Sequence, residues 1–171
     1  LLAAEKYKID SAHTYVLFKI KHLNVGNSYG RFNGPTGVFV WDEAQPEASA
    51  FEIMVPAANV DTDNDKRDNH LRSADFFHSE QHPAITFKSS AVKRTGDATY
   101  EVSGVLSLLG QSRPITVTAV QTGHGQDPWG NYRRGFESTF TIKRTQWGMD
   151  FMLTGLSDEV EITVSVEGIR E

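Results

Sequence analysis

Apolar and polar residues alternate along much of this chain. In YVLFKIKH, Val16, Phe18, Ile20 and His22 fall in one phase and Leu17, Lys19 and Lys21 in the other. In DEVEITVSVEG, Val160, Ile162, Val164 and Val166 alternate with Glu159, Glu161, Thr163 and Ser165. A period of two marks a strand with one dry face and one wet face. Runs of similar character cover residues 38–41, 51–55, 85–89, 100–109, 115–122 and 136–142, each bounded by Gly, Pro, Asn or Asp. The pattern predicts about eight strands. Links such as RTGDAT and GQSRP are short and turn-like, so neighbouring strands are antiparallel and the chain runs up and down.

Two segments break the alternation. Residues 64–77 predict a short helix and residues 144–152 a helical turn. The expected class is therefore all-β: an extended antiparallel eight-stranded barrel carrying a short helix and a helical turn, closure being the surest way to remove sheet edges. A two-sheet sandwich is the alternative. A barrel of eight strands either fills with its own side chains or encloses one elongated ligand.

Composition narrows the function classes. With 171 residues, 39% hydrophobic and 23% charged, the chain forms one domain over residues 1–171 with enough material for a core and a cavity. The net charge of -5 and scattered Lys and Arg provide no basic stripe, so nucleic acid is not an expected partner. The absence of cysteine removes thiolate chemistry and disulfides. No apolar run approaches the roughly 18 residues of a membrane-spanning helix. LLAA at residues 1–4 reads either as the remnant of a secretory signal or as a trimmed terminus or tag.

Several stretches invite a chemical reading. GNSYG, residues 26–30, matches G-x-S-x-G, but extended chain follows it where a nucleophile elbow needs a helix, so a glycine-rich loop is expected and a hydrolase centred on Ser28 is a minor alternative. Asp61, Asp63 and Asp65 have calcium-loop spacing, yet Lys66 and Arg72 replace the turn glycine and the bidentate glutamate; Asp61 or Asp63 is expected to cap the helix instead. His70, His78 and His82 could be drawn as a metal set, but Pro83 forces His82 out of helical geometry, and no metal is expected. GHGQDPWG has Pro128 where a dinucleotide fingerprint needs its third glycine. His22, in phase with the dry face of its strand, reads as a neutral core histidine or as a polar group at a cavity mouth. Trp41, Trp129 and Trp147 keep open a carbohydrate- or partner-binding module, if they form exposed stacking platforms.

Six blocks together resemble the YceI-like, polyisoprenoid-binding family: YKIDSAHTYVLFKIKHL, GRFNGPTGVF, TDNDKRDNHLRSADFFHSEQHPAITFKS, YEVSGVLSLLGQSRPITV, GFESTFTIKRTQWGM and LSDEVEITVSVEG. The more specific parts are Arg67-Asp68-x-His70-Leu71 leading to Phe76-Phe77, Gly104-x-Leu106 followed by Gly110, and Arg144 with Trp147-Gly148-Met149. The resemblance implies a lipocalin-like barrel around an apolar tunnel for a long-chain isoprenoid lipid, such as octaprenyl pyrophosphate or ubiquinone-8, and no catalysis. It further implies a periplasmic or secreted protein that carries, stores or sequesters its ligand, with transient membrane contact and self-association into a homodimer both compatible. His78 departs from the Asp common at that position.

Sidedness and the resemblance together nominate the lining. From strands come Val16, Phe18, Ile20, His22, Phe87, Leu106, Phe136, Phe140, Val160, Ile162 and Val164; from loops, Phe32, Met149, Phe151 and Met152. Phe76 and Phe77 are expected to plug apolar space beneath a lid that Arg67, Asp68 and His70 hold in place.

Overall fold

The computed structural model describes residues 4–171, so Leu1, Leu2 and Ala3 of the N-terminal LLAA lie outside the described residues. Eleven strand segments and one α-helix follow in the order β1 (Glu5–Ile9), β2 (Tyr15–His22), β3 (Gly26–Phe32), β4 (Thr36–Trp41), β5 (Ala50–Pro56), β6 (Val60–Asp61), α1 (Asp65–Arg72), β7 (Ala84–Arg94), β8 (Thr99–Leu108), β9 (Gln111–Gln126), β10 (Tyr132–Lys143) and β11 (Leu156–Arg170).

These segments build eight staves. β1 and β2 lie end to end along one edge of β11, with Ile9 opposite Gly168 and Tyr15 opposite Ser165. β4 and β3 continue along their other side, Tyr7 facing Phe39 and Phe18 facing Gly30. β5 and β6 form the third stave in the same way, through Phe51 opposite Phe39 and Val60 opposite Phe32. β7 to β11 each form one stave, and pairing of β1 and β2 with β11 closes an antiparallel eight-stave barrel. Closure rules out the sandwich.

The expected meander is present, with differences that have local causes. β1, β3 and the two-residue β6 lie outside the predicted runs. β1 is only five residues long, and the polar and glycine positions of β3 hide its period; its pairing is dictated by β2. GNSYG is thus a strand instead of a loop. The helix is shorter than residues 64–77: it ends at Arg72, where Ser73 turns extended and its N–H bonds the His70 carbonyl. Its N-cap is Asn64, whose Oδ1 accepts from the Arg67 N–H at 2.9 Å, and neither Asp61 nor Asp63 fills that place. Asp61 instead accepts from Asn33 at 3.0 Å and from Arg31 at 3.3 Å. The helical turn falls at Arg144–Trp147, closed by Gly148 in the left-handed region at φ 81°.

One half of the barrel is filled. Tyr7, Phe39, Trp41, Phe51, Tyr100 and Phe136 pack as an aromatic floor, with Trp41 edge-on to Tyr100 at 4.8 Å and Phe51 edge-on to Phe136 at 5.2 Å. Beneath it Arg134, buried, places its guanidinium by the Tyr7 and Trp41 rings and bonds Glu43 at 2.7 Å, which also accepts from the Trp41 indole N–H at 2.9 Å. That end is sealed. At the other end lie the β2–β3 hairpin, α1 and the loop between β10 and β11.

Candidate functional site

Above the aromatic floor the barrel is hollow. A cavity of about 590 Å³ runs from Phe51, Val102, Ala119, Phe136 and Val166 to the end that carries α1. Its volume falls in the range of pockets that enclose a small molecule or part of a long chain, roughly 300 to 1,000 Å³.

The wall is made by the inward phase of each strand. β2 contributes Val16, Phe18 and Ile20; β11 contributes Val160, Ile162 and Val164; β10 contributes Phe136 and Phe140; Phe32, Phe87 and Leu106 complete the circumference. Two glycines make room for rings. A Cβ on Gly30 would collide with the Phe18 ring, and one on Gly104 would come within 2.6 Å of the Phe87 ring. GNSYG therefore serves side-chain clearance, with Ser28 facing the cavity from a strand and no elbow around it. Residues 51, 53, 55, 102, 115, 117 and 119 also line the wall and escaped the sequence nomination, although extending the same period through the predicted strands would have found them.

The helix end is roofed by residues 62–83. Phe76 and Phe77 both line the cavity, and Phe77 stands edge-on to Phe32 at 5.0 Å. Asp68, buried, accepts from the Thr62 N–H at 2.9 Å and from its hydroxyl at 2.5 Å, while Arg67 donates to the Thr62 Oγ1 and carbonyl, both at 2.7 Å. Arg72 reaches back to the Ala58 carbonyl at 2.7 Å and the Val60 carbonyl at 3.2 Å. Asp68 and Arg67 thus brace the roof on its own first residue, and Arg72 ties it to the segment that joins β5 to β6. His70 bonds Asp75 at 2.8 Å and stacks edge-on to Phe76 and Phe151. His78 sits at φ 45°, a conformation that His and Asp both tolerate better than most residues, and its carbonyl accepts from the N–H groups of Gln81 and His82. An imidazole can therefore replace an acid there without altering the turn.

A second loop, residues 144–155, faces the roof. Arg144 is buried and donates to four carbonyls: Ser157 at 2.9 Å, Phe151 at 2.7 Å, and Met149 and Leu156 at 3.2 Å each. Burial pushes its pKa down, and the charge of nearby Asp158 opposes that shift. Asp158 in turn holds the Thr145 N–H and hydroxyl, each at 2.9 Å. Met149 and Met152 reach the cavity from this loop. Phe151 does not: it lies off the wall, 37% exposed, against the outer side of His70 and Phe76.

Between the roof and the β2–β3 hairpin lies the mouth. β3 pairs with β6 only at Arg31 and Phe32, so its outer edge from Gly26 to Gly30 has no strand partner among the described residues. His22, Ser28, Tyr29, Arg67 and His70 gather there on the cavity's polar rim. His22 is exposed, which overturns the core reading and leaves the mouth reading.

Other candidate chemistry disperses. Among the described residues, one group of acids and histidine comes within metal-binding distance, Asp10, His13 and Glu167, and it excludes His70, His78 and His82. Arg133 occupies that group's centre, 2.7 Å from Asp10 and 2.6 Å from Glu167, so a guanidinium already neutralises it. Trp41 and Trp147 are buried, the latter donating to the Leu106 carbonyl at 3.0 Å, and Trp129 alone is exposed. No tryptophan stacking platform forms among them.

Known proteins bear on this geometry. The YceI-like domain family matches residues 7–168. A UPF0312 protein of Pseudomonas aeruginosa is 43% identical over 170 residues, covering 98% of this chain and 88% of the relative. Among solved structures, the Campylobacter jejuni YCEI protein superposes with a TM-score of 0.78 at 28% identity, covering 88% of this chain and 90% of that one. A Saccharophagus degradans domain described as polyisoprenoid-binding gives 0.75 at 14% identity, covering 96% and 98%, a likeness of fold.

Proposed function

This chain belongs to the YceI-like family, and from that premise we propose that its tunnel binds the hydrocarbon chain of an isoprenoid lipid and carries or stores it without chemical change. The observation that carries the reading is the cavity itself: about 590 Å³, walled by inward Phe, Leu, Ile and Val side chains, closed below by aromatic rings and open above at a polar rim. The polyisoprenoid-binding description of the Saccharophagus degradans domain, which shares the fold, supports the same ligand class. The polar groups gathered at the mouth fit a head group left near water while the tail is inside.

Energetics favour a carrier over a trap. A forty-carbon chain buried from water at about 0.8 kcal/mol per carbon would nominally gain about 32 kcal/mol, beyond any observed affinity. Such a lipid starts in a bilayer, where its tail is already dry, so the net preference for the barrel is a few kcal/mol and exchange is reversible.

The test is native mass spectrometry of protein purified without detergent, together with an organic extract of the same sample. One isoprenoid per chain is expected. A bare mass that persists after incubation with polyprenyl phosphates, polyprenols and quinones would overturn the reading.

A further inference from the structure

Apolar side chains that face water are concentrated at the mouth. The β2–β3 tip exposes Leu23 and Val25, the latter 84% accessible, and the loop beside it exposes Met152 and Leu153. The two elements are joined: the Leu23 N–H bonds the Gly155 carbonyl at 2.7 Å, and Leu23 and Met152 both pack over Gly155. Tyr29, 65% exposed, continues this surface along β3.

The backbone reinforces the point. Leu23 and Met152 lie at φ 51° and 58°, the left-handed region that turns normally fill with Gly or Asn. A turn that uses a bulky apolar residue in that conformation gives up local stability; of the three that do so among the described residues, Leu109 is half-buried against the core, while Leu23 and Met152 project exposed apolar groups at the same rim. Met152 and Tyr29 each line the cavity while standing exposed, so apolar surface reaches from the outside into the tunnel beside the polar groups of the rim.

We propose that this rim is a docking surface for the interface of a lipid bilayer, through which the tunnel exchanges its ligand. The occupant follows from the proposed function, on which the inference rests: a lipid that resides in a membrane reaches the tunnel without crossing water only where the mouth itself touches the membrane. A second copy seated on the rim would seal the path. Lys21 and Asp150 flank the rim with opposite charges, so docking depends on apolar contact and is only weakly sensitive to salt.

Flotation with phosphatidylcholine vesicles, and with vesicles that also contain phosphatidylglycerol, tests the proposal. The parent chain is expected to float with both. Val25→Asp combined with Leu153→Asp is expected to reduce the bound fraction about tenfold, while Val120→Asp, exposed on β9 far from the mouth, leaves it unchanged. Uptake of polyprenol from detergent micelles is measured on the same proteins and is expected to persist in the double variant. Failure of the parent chain to float, equal flotation of the double variant, or a rim-dependent dimer that ignores vesicles would overturn the proposal. Micellar uptake without flotation would sink the docking alone. Rim-dependent flotation without uptake would leave the docking standing and remove the ligand reading.

Discussion

The ring of Phe18 lies across Gly30, its partner on the neighbouring strand, in the space a β-carbon would occupy. Aromatic ring and missing side chain form one unit of the cavity wall. Gly30→Val would drive the ring inward or bend β3 outward. Overpacking of this kind costs about 1 to 3 kcal/mol. The variant should show a lower urea midpoint and a reduced capacity for polyprenol, both measurable on one preparation.

Arg144 is the single side chain on which the loop at 144–155 converges. Arg144→Met keeps the length and leaves four carbonyls without their donor, which should cost at least about 3 kcal/mol. Hydrogen exchange should rise across residues 145–156 and stay unchanged in β7 and β8. Arg144→Lys should not rescue it, because an ammonium cannot span the same fan of acceptors.

Phe136 belongs to both floor and wall. Its replacement by alanine should destabilise the fold by about 3 to 5 kcal/mol and deepen the tunnel toward Trp41. Competition between polyprenols of different length should then shift in favour of the longer chains. No shift in preference would mean that the tail does not reach the floor.

Arg133 binds Asp10, Asp127 and Glu167 and so links three separate segments. Its hydrogen bond to Asp127, helped by Asn131, holds that carboxyl far below its usual range. Burial opposes ionisation at Asp10, yet Arg133 and His13 outweigh it and lower its pKa too. Both pKa values are depressed by folding, so the stabilisation is present above the unfolded value of about 3.9 and is lost as pH falls through the folded values. Urea midpoints should therefore drop below about pH 4 in the parent chain. Arg133→Met should begin lower and fall less steeply.

Much of this was readable before folding was considered. β2 and β11 announce themselves because each has one face in the cavity and one in water, which imposes strict alternation on Val16 to His22 and Val160 to Val166. β3 was hidden because its inward phase reads Gly26, Ser28 and Gly30 before Phe32, and a glycine, even one that makes room for a ring as Gly30 does for Phe18, leaves no hydrophobic signal. Phe151 is nominated among the loop residues of the wall, but the left-handed turn at Met152 carries neighbouring side chains to different faces. Arg133 and Arg134 are adjacent and chemically alike in sequence; only strand geometry sends one into a surface ion cluster and the other beneath the floor. Whether the barrel was hollow could not be read at all, since a filled interior needs the same apolar residues.

The seam where β1 meets β11 sets the order in which the molecule can assemble. Tyr7 pairs with Arg170, and Arg170 also bonds Glu5 at 2.6 Å, so the closing contacts join residues separated by nearly the whole sequence. Such long-range pairing is entropically late and slow. Until it happens, β11 presents one bare edge along a strand of 15 residues, a template for any other extended chain. The moment of greatest vulnerability to aggregation is therefore the interval before the first stave docks on the last.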